Sequence, residues 1–285
     1  MNTAKYEYEG TENRPHLSGV SYILPNDDQK INRLDLQHYL LRYMLKGNYL
    51  APIVQPAHIL DSGCGTGRWL VEMAEEFPQA ELIGVDRTLP EPGKVAFPPN
   101  CHFQVGNTLN GLPFEDGAFD FVHQRLLLFT IPQAYWQQVV NELARVIRRG
   151  GWVELIEVNP FFQQMGPATT RIVDLITQAA TQHGLDMGVS QRLGSLLSNA
   201  GLKRVGTSTQ IVPLGHWGGQ LGTLALEDIE AIAQALKPLI LAQSGISSGE
   251  FEHLATRMFN EVEEFHTIFT FHVAYGSTRG TGLLV

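Results

Sequence analysis

Hydrophobic and polar positions change period several times along these 285 residues. Residues 1–25 hold no sustained period; they are polar, contain Pro15 and Pro25, and predict an irregular arm. Asn26-Asp27-Asp28 then supplies N-cap side chains. Ile31, Leu34, Leu41 and Leu45 recur at near-helical spacing, so a helix is predicted over residues 29–46, ended by Gly47. Beyond it, short apolar runs alternate with helical stretches. Strands are expected at 58–60, 81–85, 101–105, 118–123 and 151–157, with helices at 69–77 and 133–149. The pair Arg148-Arg149, just before Gly150-Gly151, reads as the C-terminal turn of the second of these helices. Strands alternating with helices predict an α/β fold with a mostly parallel sheet covered on both faces.

The remaining 130 residues or so are more helical. Helices are predicted at 167–182 and 190–199, stopped by Gly201, and a strand at 205–212. Two more helices, at 226–241 and 248–263, precede a last alternating strand at 268–275. Because both fall between the final two strands, residues 225–265 read as an insert laid over one face. There is no internal repeat and no low-complexity segment.

Charge narrows the set of partners. Twenty Lys and Arg stand against 29 Asp and Glu, a net charge of −9, which disfavours binding to nucleic acid, where phosphate neutralisation needs a basic surface. The two cysteines, Cys64 and Cys101, make no disulfide framework and read as free thiols. No apolar run approaches the roughly 18–20 residues that span a bilayer. Residues 1–10 are polar and acidic, unlike a signal peptide. A soluble cytoplasmic protein without a membrane partner is expected. The ten histidines form no H-x-x-x-H and no cluster with cysteine, so no metal site is expected.

The densest chemistry lies in Ile59-Leu60-Asp61-Ser62-Gly63-Cys64-Gly65-Thr66-Gly67-Arg68-Trp69. An apolar strand ends in an acidic residue, and alternating glycines then lead into a helix. Glycines there let the backbone turn tightly and let a ligand come close, at the positive end of the helix. The spacing is G-x-G-x-G, not the G-x-G-x-x-G of dinucleotide sites, and no Lys-Ser or Lys-Thr follows as in a P-loop. A nicotinamide oxidoreductase is therefore disfavoured, while a plain tight turn stays open. Asp86, about 20 residues on at the end of the second strand, suits the two hydroxyls of a ribose, although a surface turn is its plainer reading. Asn107 and Leu109, after the third strand, suit an adenine edge and face, or an ordinary turn.

A further block, Leu112-Pro113-Phe114-Glu115-Asp116-Gly117-Ala118-Phe119-Asp120-Phe121-Val122-His123, places a proline and an acidic turn before Phe-Asp at a strand start. With the Asp61–Gly67 loop, Asp86, Gly106-Asn107 and the Arg148–Trp152 turn, it makes residues 55–160 resemble the class I S-adenosylmethionine-dependent methyltransferases. Upstream, Tyr22-Ile23-Leu24-Pro25-Asn26-Asp27 and Arg33-Leu34-Asp35-Leu36-Gln37-His38 resemble the leader of small-molecule methyltransferases related to fungal regulators of secondary metabolism.

The resemblance implies a doubly wound, Rossmann-like sheet of seven strands, mostly parallel, with an N-terminal helical leader and a helical insert before the last strand. It implies three segments: an arm and cap helix (1–50), a cofactor-binding half (51–160) and a C-terminal half carrying the substrate-covering insert (161–285). The implied cofactor is S-adenosyl-L-methionine, held by Asp61, Gly63, Cys64, Gly65, Gly67, Asp86, Arg87, Asn107, Thr108, Leu109 and Gln124. Tyr22, Arg33 and His38 of the leader would close its pocket. Asn107 departs from the family, which often has an acidic residue there, and so ranks below Asp86. The implied reaction is in-line attack by a nucleophile of a small, apolar or natural-product-like acceptor on the sulfonium methyl. Glu157 and His123, at strand ends, are the candidate bases, each with a plainer reading as a satisfied strand-end group. His183, Phe161-Phe162 and His216-Trp217 are candidate pocket walls. The alternative is a cofactor-binding regulator or scaffold with little turnover. The acceptor, the methylated atom and the oligomeric state are not legible in the chain.

Overall fold

The structure, a computed structural model, describes residues 28–90 and 96–278. Helix α1 (Asp28–Leu45) comes first, then β1 (His58–Ser62), α2 (Arg68–Glu76), β2 (Glu81–Asp86), β3 (Cys101–Val105), β4 (Phe119–Arg125), α3 (Trp136–Val146) and β5 (Ile147–Gln163). The C-terminal part contains α4 (Pro167–Gln182), α5 (Leu193–Asn199), β6 (Lys203–Pro213), α6 (Gly219–Ser244), α7 (Ser248–Glu264) and β7 (Ile268–Ser277). All seven strands join one sheet, in the order β3-β2-β1-β4-β5-β7-β6. The pairs among β1 to β5 are parallel, and β7 runs antiparallel to both β5 and β6. The leader is α1, and α6 with α7 form the helical cover between the last two strands.

Burial explains the patterns. In β4, Phe119 to Gln124 are all buried, because helices cover both faces of the central sheet and remove the two-residue alternation of a half-wet strand. Helix α3 buries Trp136, Val139, Val140, Leu143 and Val146, a stripe at spacings of three and four. Helix α7 starts at a capping box: the Ser247 hydroxyl accepts from Glu250 N at 3.2 Å, and Glu250 Oε2 accepts from Ser247 N at 2.7 Å.

One boundary differs from the sequence reading. Arg148-Arg149 do not end a helix. Helix α3 stops at Val146, and β5 begins at Ile147, which is buried and pairs with Phe119. The Arg148 guanidinium bonds the Asp120 carboxylate, which also accepts from Ala57 N and His58 N at 2.9 and 2.8 Å. These bonds favour extended backbone here over another helical turn. The same device recurs elsewhere. Glu154 accepts from Leu50 N and Ala51 N, and Glu261 accepts from Ala168 N and Thr169 N at the otherwise unpartnered start of α4. Three buried carboxylates thus anchor loops and a helix start.

The chain winds outward from β1 through β2 to β3, then returns to β4 and β5 on the other side of β1. The connections leaving β1 and β4 therefore diverge, and a crevice opens at their carboxyl ends.

Candidate functional site

At the end of β1 the backbone turns through Gly63, Gly65 and Gly67, whose φ angles of +81°, +55° and +74° favour glycine. The turn does not offer its amides freely. Gly63 N and Cys64 N donate to Val85 O at 2.7 and 3.1 Å, Gly65 N to Asp86 Oδ2 at 2.8 Å, and Gly67 N to Cys64 O at 2.9 Å. The glycines therefore serve shape: a Cβ on Gly63 would lie 2.9 Å from Leu127 Cδ2. Helix α1 clamps the outer side of the loop, where Asp35 accepts from the Thr66 hydroxyl at 2.7 Å and pairs with Arg68 at 3.1 Å.

The crevice is a cleft of about 450 Å³. Of the residues expected around it, His38, Gly63, Cys64, Gly65, Asp86, Arg87, Asn107, Thr108 and Leu109 line it. Asp61, Gly67, Gln124 and Arg33 do not, and Tyr22 lies outside the described residues. Asp61 and Gln124 are buried behind the cleft, Gln124 beneath Ser62, whose hydroxyl donates to it at 3.3 Å. Asn107 lines the wall as the cap of a short turn, its Oδ1 accepting from Leu109 N at 3.1 Å. Burial, then the nearby Asp61 and Asp86, push the Cys64 thiol well above its ordinary range, which argues against a nucleophilic role.

Gln37, Leu126 and Leu127, which the sequence did not single out, also line the cleft, as does Arg125 at the carboxyl end of β4. Arg125 Nη2 lies 3.1 Å from His38 Nδ1. Arginine only donates, so Nδ1 accepts and the imidazole proton sits on Nε2, 3.1 Å from Glu72 Oε1. Burial and then the Arg125 charge lower the His38 pKa to about 3, so the ring is neutral. His38 thus steadies the Arg125 guanidinium in the cleft wall, with Glu72 close to the far side of the ring. A helical wheel of the leader would have grouped Leu34, Gln37 and His38. No signal in the chain announces Leu126, whose φ of +54° is unusual for leucine.

Neither candidate base faces the cleft. His123 is wholly buried, donates from Nδ1 to Asp61 Oδ1 at 3.1 Å and stacks on Trp69 with ring centroids 4.0 Å apart. Burial, opposed by Asp61, lowers its pKa. Glu157 is buried too, and its two carboxylate oxygens accept from Leu127 N at 2.8 Å and Leu128 N at 3.1 Å. Leu126 N donates to Ile156 O at 2.9 Å. Glu157 thus holds the turn after β4, including strained Leu126, in place. Burial raises its pKa to about 8 against the pull of the two amides.

Leu126 and Gln37 also line a second, smaller cavity of about 60 Å³. Phe129, Val158, Phe162, Ile172, Ile176, Ile232, Met258 and Phe271 make it apolar, and Asp228 of α6 is its one acidic side chain. Of the expected pocket walls only Phe162 borders it; Phe161, His183, His216 and Trp217 line neither cavity.

A ligand cleft at the switch point of a doubly wound sheet, walled by a glycine turn and by an acidic residue ending β2, defines a nucleoside-binding α/β protein. Comparison with known proteins specifies the class. The methyltransferase domain family matches residues 59–151. N-methyltransferase sirN of Leptosphaeria maculans is 29% identical over 91% of this chain and 95% of its own length. Methyltransferase str3 of Strobilurus tenacellus is 35% identical, over 48% of this chain and 49% of its own. Among solved structures, phosphoethanolamine N-methyltransferase 2 of Haemonchus contortus, in complex with S-adenosyl-L-methionine, superposes with a TM-score of 0.51 at 16% identity, over 87% of this chain and 52% of that one. Residues 59–151 thus match a methyltransferase domain, and the chain is similar to a methyltransferase over most of its length. Among the described residues no helix is long and apolar enough to cross a membrane.

Proposed function

We propose that the protein transfers a methyl group from S-adenosylmethionine, seated in the larger cleft, to a nitrogen of a small, mainly apolar acceptor that approaches from the apolar side of the wall formed by Leu126 and Gln37. One observation carries this reading: a cofactor-sized cleft and an apolar chamber meet at a shared wall, Gln37 and Leu126. The cleft suits the cofactor. Gly63 and Gly65 leave room for its chain, Asp86 at the tip of β2 takes the ribose hydroxyls, and Leu109 with Asn107 borders the adenine. Arg125, steadied by His38, takes the carboxylate of the methionine part. The bound cofactor supplies an activated methyl on a cationic sulphur. The chain's own residues orient the acceptor and exclude water, for which the aromatic and branched chamber walls are suited. Nitrogen is chosen because sirN, similar over most of its length, is an N-methyltransferase.

In this reading residues 51–160 hold the cofactor and residues 161–285 cover the acceptor, with the 1–50 leader between them. The net charge of −9 and the free thiols of Cys64 and Cys101 suit a cytoplasmic protein that acts on small molecules rather than on nucleic acid. A cofactor-binding regulator would share the cleft but would have no use for the chamber. Titration calorimetry with S-adenosylmethionine, followed by mass spectrometry of metabolite extracts incubated with a methyl-labelled donor, tests the reading. Binding followed by labelled, N-methylated products is expected. Tight binding with no labelled product from any extract would favour the regulator instead.

A further inference from the structure

Arg42, Arg68, Arg145, Arg148 and Arg192 each lie within ion-pair distance of a carboxylate. Arg125, in the wall of the cleft, does not. It is partly buried at the end of β4, and among the described residues its guanidinium has one hydrogen-bonded partner, His38 Nδ1 at 3.1 Å. The acids whose charge reaches it, Asp61 and Glu72, are engaged elsewhere, Asp61 with His123 at 3.1 Å and Glu72 with Arg42 at 2.9 Å. An imidazole nitrogen that accepts from a guanidinium carries no proton, so His38 is neutral by geometry alone. It therefore orients Arg125 without cancelling its charge. A glutamate in the same place would hold the guanidinium as well, but would supply the anion from within the protein. A half-buried cation left uncompensated favours an anion brought by a ligand.

We infer that His38 is a positioning residue that keeps Arg125 as an open anion site, and that the pair makes the cleft select adenosyl ligands carrying a carboxylate over those without one. Arg125 borders the same space as Gly63, Gly65 and Asp86, so one ligand can meet the nucleoside-facing residues and the cation together. A guanidinium has five donors in a planar fork; one is spent on His38, and those left match the two oxygens of a carboxylate. His38 is 1% exposed, so its ring is held by packing and offers Arg125 a fixed acceptor. Its helix is fastened to the glycine turn, where Asp35 accepts from Thr66 and pairs with Arg68. Selection against nucleosides that share the adenosyl group but lack the amino-acid tail thus comes from α1 and β4, and the glycine turn takes no part in it.

This inference rests on the cofactor reading, and its test separates the two. Full-length protein is titrated by calorimetry with S-adenosylhomocysteine and with its decarboxylated analogue, which keeps the adenosine, the thioether and the ammonium. Wild type should bind the first about tenfold to a hundredfold more tightly, as expected of hydrogen bonds between charged groups. Arg125→Met should cut this preference to about threefold or less, while affinity for the decarboxylated analogue stays within about threefold. His38→Glu should cut it as far with Arg125 in place, because the new carboxylate occupies the guanidinium. His38→Gln, a neutral acceptor, should keep most of it. Should the glutamate variant fail to fold, His38→Leu serves in its place and should lower the preference at least about threefold, since the guanidinium loses its guide. A wild type that binds both ligands alike, an Arg125 variant that keeps the preference, or a glutamine variant that loses as much as the glutamate one overturns the inference. So do His38 variants that weaken both ligands equally, which would make the residue merely structural. Failure of wild type to bind either ligand would instead refute the cofactor reading.

Discussion

The cleft at the strand ends and the chamber behind Leu126 share a wall but differ in almost everything else. The cleft is made by backbone: a turn through left-handed glycines, with carboxylates and short turns at the tips of β2 and β3. The chamber is made by side chains from α1, the turn after β4, β5, α4, α6, α7 and β7, up to 234 residues apart in sequence (from Gln37 to Phe271). A site built from backbone needs particular residues at particular spacings. A site built from packed side chains needs only apolar groups of the right volume, supplied by any of several elements. The first kind leaves a pattern in the chain and the second leaves almost none.

Substitutions can break or sharpen that contrast. The largest effect is expected from Gly63→Val, which places a branched side chain at φ +81° and against Leu127. Cofactor binding by calorimetry should be lost, at least about a hundredfold, as expected of several kcal/mol of strain and clash. Retained affinity in a folded variant would show that the loop is not the wall of the cofactor site. Asp86→Ala should come next. It removes the acceptor of Gly65 N and the carboxylate proposed for the ribose, weakening cofactor about tenfold to a hundredfold. Met258→Ala reverses the test. It should cost about 2–4 kcal/mol in denaturant unfolding and enlarge the chamber, with cofactor affinity unchanged.

The smallest effect is one of pH, and it probes the shared wall. Burial raises the pKa of Glu157 to about 8, and those of Glu154 and Asp228 to about 7. Between their ordinary carboxyl values and these, the folded protein holds protons that the unfolded chain has released, so stability falls as pH rises. Buried His38 and His123, with lowered pKa values, act oppositely, but only below their ordinary 6.5. Thermal unfolding should therefore shift to lower temperature from pH 6.5 to 8. Glu157→Gln should make that slope shallower while costing about 1–3 kcal/mol through a lost amide acceptor. An equal slope in the variant would mean that Glu157 is already ionised at pH 6.5.

Legibility followed the same division. The sheet, the glycine turn and the cleft positions after β2 and β3, from Asp86 to Leu109, were readable because each depends on local periodicity or spacing. The candidate bases were misplaced for a physical reason. A carboxylate at a strand end looks alike in sequence whether it faces a ligand or a neighbouring loop, and Glu157 faces Leu127 N and Leu128 N. His123 was misplaced because its partners, Asp61 and Trp69, meet it through strand pairing and packing across more than 50 positions. Asp228 escaped notice as one acid in an amphipathic helix, since its isolation depends on α4, α7, β5 and β7 closing around it.

Leu126 and Gln37 are each one side chain with two tenants. If either moves when one cavity fills, the two binding equilibria cease to be independent. Thermodynamic reciprocity then fixes the bookkeeping: the factor by which acceptor alters the dissociation constant of the donor equals the factor by which donor alters that of the acceptor. Demethylated cofactor would be retained or released according to whether methylated product still presses on that wall. The order in which the two products leave can thus be written into the rotamers of a leucine and a glutamine.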